Sequence, residues 1–245
     1  MQNKNQDMYR WLEDSIGKYY QFIRALKRKE DGDILLYRNK NTSNYVVVRN
    51  LQGYYPAYER LVNIKQNSLT IVYEYAYNGM NSIIAEEYID GMPISFLLEQ
   101  RLFSETEVQR IVLRVCEGLI TLHENQIVYR DIKPDNIMIM GDGAVKLIDF
   151  DISKIYKQQG EKDTTVLGTV GYAAPEQYGE AQSDKRTDIY AVGVLMNVML
   201  TGEHPSKQIA RGKMGAIIEK CIMVVPEKRY GSVKELKEKL EKLIY

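Results

Sequence analysis

The stretch YRDIKPDNIMIMGDGAVKLIDFDIS, residues 129–153, holds four side chains able to share one reaction. Asp131, Lys133 and Asn136 fall on a polar loop between a helix that ends near Asn125 and the strand IMIM. Gly141, Asp142 and Gly143 form a tight turn, and the strand AVKLID returns antiparallel to IMIM, carrying Asp149 back beside Asn136. Such a set suits phosphoryl transfer. That chemistry needs hard oxygen ligands for a divalent cation on nucleotide phosphates, a carboxylate to accept a hydroxyl proton, and a cation near the transferred group. Asn136 and Asp149 would hold the metal, Asp131 would be the base and Lys133 the cation. The plainer reading of the loop is a capped turn with solvated charges.

The elements that must position these residues are legible around them. Ser104 followed by Glu107 makes a capping box, after which Val108, Ile111, Val112, Val115, Leu119 and Leu122 share one helical face. A second apolar helix runs from Asp188 to Gly202, and a third starts at Ser232 with Leu236, Leu240 and Leu243 on one side. Upstream, residues 7–24 carry Trp11, Ile16, Tyr19, Tyr20 and Ile23 among charges, which predicts a short amphipathic helix leading into a first strand. ILLYR and YVVVR flank a polar turn at Asn41 to Asn44, and LTIVYEYAY and SIIAEEYI are separated by Asn78 and Gly79. A short helix is expected near Tyr58 to Ile64. The fold class is α+β: a small antiparallel β lobe over 1–89 and a larger helical lobe over 90–245.

The 245 residues, 44% hydrophobic, suffice for one sizeable core or two packed lobes. With 33 basic and 33 acidic residues there is no overall field to recruit nucleic acid or an anionic membrane. Cys116 and Cys221 sit in apolar, helix-like contexts and read as reduced core thiols. No signal-like or membrane-spanning stretch is present, so the expectation is a soluble, cytoplasmic protein without nucleic-acid partners. His123, on the apolar helix, reads as structural and His204 as a loop residue.

At this point the sequence resembles the eukaryotic-type (Hanks-type) serine/threonine protein kinase superfamily over nearly its whole length. YRDIKPDN is similar to the catalytic loop H-R-D-x-K-P-x-N, and Lys133 two residues after Asp131 marks the serine/threonine type. Asp149-Phe150-Asp151 resembles D-F-G, GTVGYAAPE resembles the substrate-receiving segment ending in A-P-E, and TDIYAVG supplies the buried aspartate, Asp188. PEKRY supplies Arg229, which by resemblance pairs with Glu176 in a structural ion pair. The resemblance implies a bilobal kinase domain that uses ATP with Mg²⁺, or Mn²⁺, and a protein hydroxyl as acceptor. It implies ATP contacts from Gly32, Ile34, Val47, Arg49, Glu87, Ile89 and Met138. It also implies a phosphate pocket at Arg130 and Lys154, autophosphorylation at Thr165 or Thr164 through a transient dimer, and Thr169 beside Asp131.

The chain departs from the family in several places. The glycine-rich loop is reduced to LKRKEDGDI, where Lys27 and Lys29 replace two glycines and Gly32 remains. Arg49 stands where the family has its phosphate-binding lysine, and the partner acid on the short helix is either Glu59 or missing, since strict spacing gives Ala57. Glu86 falls at the gatekeeper position and is expected to pair with Arg49, because a buried carboxylate needs a partner. Asp151 replaces the glycine of D-F-G and is expected to face solvent. Between Pro205 and Ile217 a substrate-docking helix should be abbreviated or absent. Three functions remain open on the sequence: a protein kinase of reduced turnover, a pseudokinase or nucleotide-binding scaffold, and a small-molecule phosphotransferase.

Overall fold

The computed structural model describes residues 2–62, 64–156, 169–178 and 183–243. The chain divides into two units, Met1–Gln66 with Thr70–Ile89, and Asn67–Leu69 with Asp90–Tyr245. The sequence reading gave 67–69 to the first lobe. They pack with the second because Ser68 O accepts the Leu147 N–H at 2.8 Å and Leu69 bridges to Leu147.

The first unit opens with α1 (Gln2–Tyr19), which ends five residues earlier than its amphipathic pattern predicts. Two causes act together. Lys40 Nζ donates to the carbonyls of Gly17 and Lys18 at 3.1 and 2.9 Å, meeting the unsatisfied C-terminal end of the helix. The aromatic and β-branched residues from Tyr20 onward then gain more as β1 (Tyr20–Lys29) by pairing with β2 (Gly32–Asn39). β3 (Tyr45–Gln52), the short helix α2 (Pro56–Leu61), β4 (Val72–Tyr77) and β5 (Asn81–Glu87) complete an antiparallel sheet of order β1-β2-β3-β5-β4.

Period-two alternation divides the sheet's side chains between its faces. On one face Val46, Val48, Ala76, Ile83 and Ala85 pack against Leu12 and Ile16 of α1. On the other, Ile34, Leu36 and Val47 form a second cluster with Leu26 and Tyr88. Strand β3 is therefore apolar at consecutive positions because both of its faces are covered.

The second unit contains β6 (Gly91–Pro93), α3 (Ile94–Leu98), α4 (Glu105–Glu124), β7 (Ile127–Val128), β8 (Ile137–Met140), β9 (Val145–Leu147), β10 (Lys154–Ile155), α5 (Lys185–Thr201), α6 (Gly212–Cys221) and α7 (Val233–Glu241). The capping box of α4 is present in both directions. Arg101 grips Glu107 with two hydrogen bonds, at 3.1 and 2.7 Å, and these with the Ser104 N–H hold its carboxyl down to about 2. All six positions expected on the apolar face of α4 are buried, and the helix packs against α5 and α7. Helix α5 begins three residues before the expected Asp188, with Asp184 as its cap, and Gly202 closes it in the left-handed conformation. The free thiols of Cys116 and Cys221 are buried, and desolvation pushes Cys116 up to about 12 and Cys221 higher still. Among the described residues no helix is long and apolar enough to cross a membrane.

From Gly202 to Arg211 the chain makes turns without a helix. The fully buried Asn197 organises this link: its Nδ2 donates to the carbonyls of Glu203 and Gln208 at 2.8 and 2.7 Å, and its Oδ1 accepts the Ala210 N–H at 2.9 Å.

Gly32 has a structural duty of its own. With φ at +142° it lies so close to β3 that an added Cβ would sit 2.0 Å from Asn50 O. Gly32→Ala is expected to lower stability by about 2 kcal/mol or more, because the clash is with backbone. The denaturation midpoint of the nucleotide-free protein checks this; an unchanged midpoint would mean that the turn opens without cost.

Candidate active site

The hairpin predicted at Gly141 to Gly143 pairs Ile137 with Leu147 and Ile139 with Val145. Ile148 N then donates to Asn136 O at 3.0 Å, so Asp149 begins one residue beyond a direct tie to Asn136. Arg130 and Asp149 both have positive φ, 71° and 65°, a region that non-glycine residues seldom occupy. Strain of that kind persists only where the surroundings over-determine it.

For Arg130 the surroundings are clear. The fully buried carboxylate of Asp188, in the first turn of α5, accepts the backbone N–H of Tyr129 at 3.0 Å and of Arg130 at 2.8 Å. His123 Nε2 lies 2.7 Å from the same carboxylate, giving that histidine the structural role expected for it. Gln177 Nε2 donates to Arg130 O at 3.2 Å from the opposite side. Tyr129 packs edge-on against Phe150 with ring centroids 5.6 Å apart, and its hydroxyl donates to Ile148 O. Burial, aided by the carboxylates of Asp149, Asp131 and Asp188, pushes the Tyr129 phenol well above its ordinary value, so it stays protonated and able to donate.

Within this frame the predicted residues converge. Lys133 Nζ donates to Asp131 Oδ2 and to Thr169 Oγ1, both at 2.8 Å, while the Thr169 hydroxyl donates to Asp131 Oδ1 at 2.7 Å. Asn136 Nδ2 donates to Asp131 O at 3.0 Å and Oδ2 at 2.7 Å. Because the amide nitrogen faces Asp131, the Asn136 carbonyl oxygen faces away from it. An amide oxygen and the carboxylate of Asp149, which follows the backbone tie of Ile148 to Asn136 and accepts the Asp151 N–H at 3.3 Å, are hard donors of the kind that hold Mg²⁺ or Mn²⁺. The donor chemistry therefore fits a divalent cation. Asp151 is half-buried rather than turned fully to solvent.

Lys154 lies in β10 opposite Val128, two residues before the buried Arg130. Thr164 and Thr165 lie outside the described residues. Met138 pairs with Lys146 in the β8–β9 ladder and is half-buried.

In the strand unit, Ile34 and Val47 share the apolar cluster with Leu26 and Tyr88, two residues the sequence reading did not single out. Strand alternation upstream of Gly32 would have found Leu26. Glu87 is tied at both ends to Ile71: its N–H donates to Ile71 O at 2.8 Å and its Oε2 accepts the Ile71 N–H at 3.1 Å. Ile89 is buried. The expected partnership between Arg49 and Glu86 is present, with Nε to Oε1 at 2.7 Å. On the short helix, Glu59 accepts a hydrogen bond from the Tyr54 hydroxyl, and Ala57, which strict spacing places at the acid's position, is buried.

Glu176 and Arg229 form a buried two-pronged ion pair, Nη1 to Oε1 at 2.7 Å and Nη2 to Oε2 at 2.8 Å. Thr187 Oγ1 adds a hydrogen bond to the glutamate at 3.0 Å, and Arg229 also donates to three backbone carbonyls. A doubly bonded guanidinium surrounded by carbonyls is a fastening.

An aspartate-based loop, a returning hairpin and a buried aspartate behind them define a phosphotransferase-type site, and the protein kinase domain model matches residues 32–245. The chain belongs to the protein kinase domain family, whose members use ATP with a divalent metal. It is 35% identical over 147 residues to the serine/threonine-protein kinase PknL of Mycobacterium tuberculosis, covering 59% of this chain and 37% of that protein. It is 36% identical over 132 residues to the serine/threonine-protein kinase A of Synechocystis, covering 49% of this chain and 25% of that protein. An Aurora kinase of Debaryomyces hansenii is 27% identical over 213 residues, 86% of this chain and 51% of that protein. The chain thus spans about half or less of these relatives' lengths.

Asp188→Asn turns one acceptor into a donor, set either against the Tyr129 N–H and His123 or against the Arg130 N–H. A stability loss of about 2–4 kcal/mol is expected, with faster amide exchange at Tyr129 and Arg130. Thermal unfolding and exchange mass spectrometry check this; unchanged protection at those amides would show that the loop holds its shape without the carboxylate.

Proposed function

We propose that the chain is a serine/threonine protein kinase that transfers the γ-phosphoryl group of ATP to a protein hydroxyl. The observation that carries this reading is the closed contact among Asp131, Lys133 and Thr169, with Asn136 held to the same aspartate. Asp131 takes the proton of the acceptor hydroxyl as its oxygen attacks the γ-phosphorus and the bond to the bridging oxygen breaks to release ADP, and Lys133, already bound to that carboxylate, balances charge on the transferred group. Asn136 and Asp149 would hold Mg²⁺, or Mn²⁺ in its place. Bound there, the metal would neutralise the phosphate oxygens.

In the same reading Ile34 and Val47, with Leu26, offer the base an apolar surface, and Met138 is a further residue proposed to meet ATP. Glu87 and Ile89 offer backbone groups at the end of β5, and Gly32 and Arg49 serve the phosphates. Arg130 and Lys154 receive a phosphate placed on Thr164 or Thr165 by a second copy of the chain in a transient dimer. The free, buried thiols suit a cytoplasmic enzyme.

Incubation with γ-labelled ATP and Mg²⁺ or Mn²⁺, beside Asp131→Asn, tests the reading. Label should pass to protein serine or threonine with the wild-type chain and fall at least about 100-fold in the variant. Label that persists in Asp131→Asn, or a wild type that ATP stabilises without any transfer, would overturn it.

A further inference from the structure

The most unusual group in the strand unit is the guanidinium of Arg49. It is a charge on a central strand with a side chain only 4% exposed, and the carboxylate that meets it, Glu86, is equally buried. The register explains how they meet. Arg49 lies directly opposite Ile84 and Glu86 directly opposite Val47, so the two side chains emerge on the same face of the sheet as diagonal neighbours. A diagonal gap is too long for two short side chains and suits an arginine reaching toward a glutamate. The contact runs through Nε, the inner donor of the guanidinium, and a phosphate would be met by the outer Nη edge. Tyr58, fully buried on α2, sets its ring 5.7 Å from the guanidinium carbon and supports the plane of the fork.

Helix α2 contributes nothing else of that kind. It has six residues, and its single acid, Glu59, is exposed and engaged by Tyr54. The carboxylate that orients the cation therefore comes from the sheet.

We propose that Glu86 is the positioning residue for Arg49, supplying from within the sheet the carboxylate partner of this chain's phosphate-binding cation, so that the charge pairing does not depend on α2. The proposal rests on the kinase reading above, specifically on Arg49 meeting the nucleotide phosphates. It has a mechanical consequence. In this chain β3 and β5 pair as one ladder, so the ion pair forms whenever the sheet is folded, and a displacement of α2 would remove the Tyr58 ring but not the carboxylate.

The test compares the affinities of ATP and adenosine, measured by calorimetry on the full chain. Their ratio reads the phosphate contribution and cancels general loss of fold. Glu86→Gln keeps the shape of the side chain and removes its charge, and is expected to reduce the ratio at least about tenfold. Glu86→Asp keeps the charge in the sheet but withdraws it by one methylene, and a smaller reduction is expected, which keeps the test open if the glutamine variant folds poorly. Glu59→Gln should leave the ratio unchanged. An unchanged or increased ratio in the Glu86 variants, or a matching loss in Glu59→Gln, would overturn the proposal. Arg49→Met separates it from its premise: if that variant keeps the full ratio, the assignment of Arg49 to the phosphates fails. If Arg49→Met loses the ratio while the Glu86 variants keep it, only the positioning role of Glu86 fails.

Discussion

A single carboxylate inside the helical unit governs the shape of everything near the proposed chemistry. Asp188 has no exposed surface, and a buried charge is tolerated only when its oxygens are met by well-placed donors. Two of those donors are consecutive backbone N–H groups, of Tyr129 and Arg130. Presenting both to one side chain bends the chain sharply, which accounts for the positive φ of Arg130. The position of Asp188 in the first turn of α5 adds the favourable end of that helix's dipole. The bend decides where Asp131 points, and Lys133, Thr169 and Asn136 then complete its hydrogen bonds. Fastenings follow outward along the same helix: Thr187, the neighbour of Asp188, bonds Glu176, which in turn is clamped by Arg229 between α6 and α7. These contacts link the core of α5 to the carboxylate proposed as the base.

The strand unit solves a different problem, that of holding a buried cation on a central strand. Alternation along β3 sends Val46 and Val48 to the face covered by α1 and Val47 and Arg49 to the other. The same parity puts Glu86 on the face of Arg49. A charge and its countercharge are thus matched by ladder register, the least adjustable feature of a sheet, since a slip by one residue would send every side chain to the wrong side.

How much of this was legible in the sequence depends on how local the signal was. Ser104 with Glu107 marked the start of α4, and the glycines at 141 and 143 marked the hairpin that returns Asp149, because capping and tight turns are decided within a few residues. The Arg49 and Glu86 partnership could be inferred because two unusual charges were expected around one pocket. The end of α1 was missed because the carbonyl-capping Lys40 lies more than twenty positions away. Helix α6 was legible only as the helix-like context of Cys221, although Met214, Ile217, Ile218 and Cys221 follow helical spacing. Asn197 gave no warning at all: an asparagine in an apolar helix shows its purpose only once the carbonyls of Glu203 and Gln208 are beside it. The strained Asp149 and the gripping Gln177 belong to the same class, produced by long-range contacts that no window of sequence contains.

The family match begins at Gly32, yet the strand unit does not. Helix α1 and strand β1 come before it, cover Val46, Val48, Ile83 and Ala85, and pair with the whole length of β2. A fragment cut at the boundary of homology would show a greasy surface and an unpaired strand edge, a combination that invites aggregation. For this protein the segment shared with relatives is smaller than the segment that must fold together.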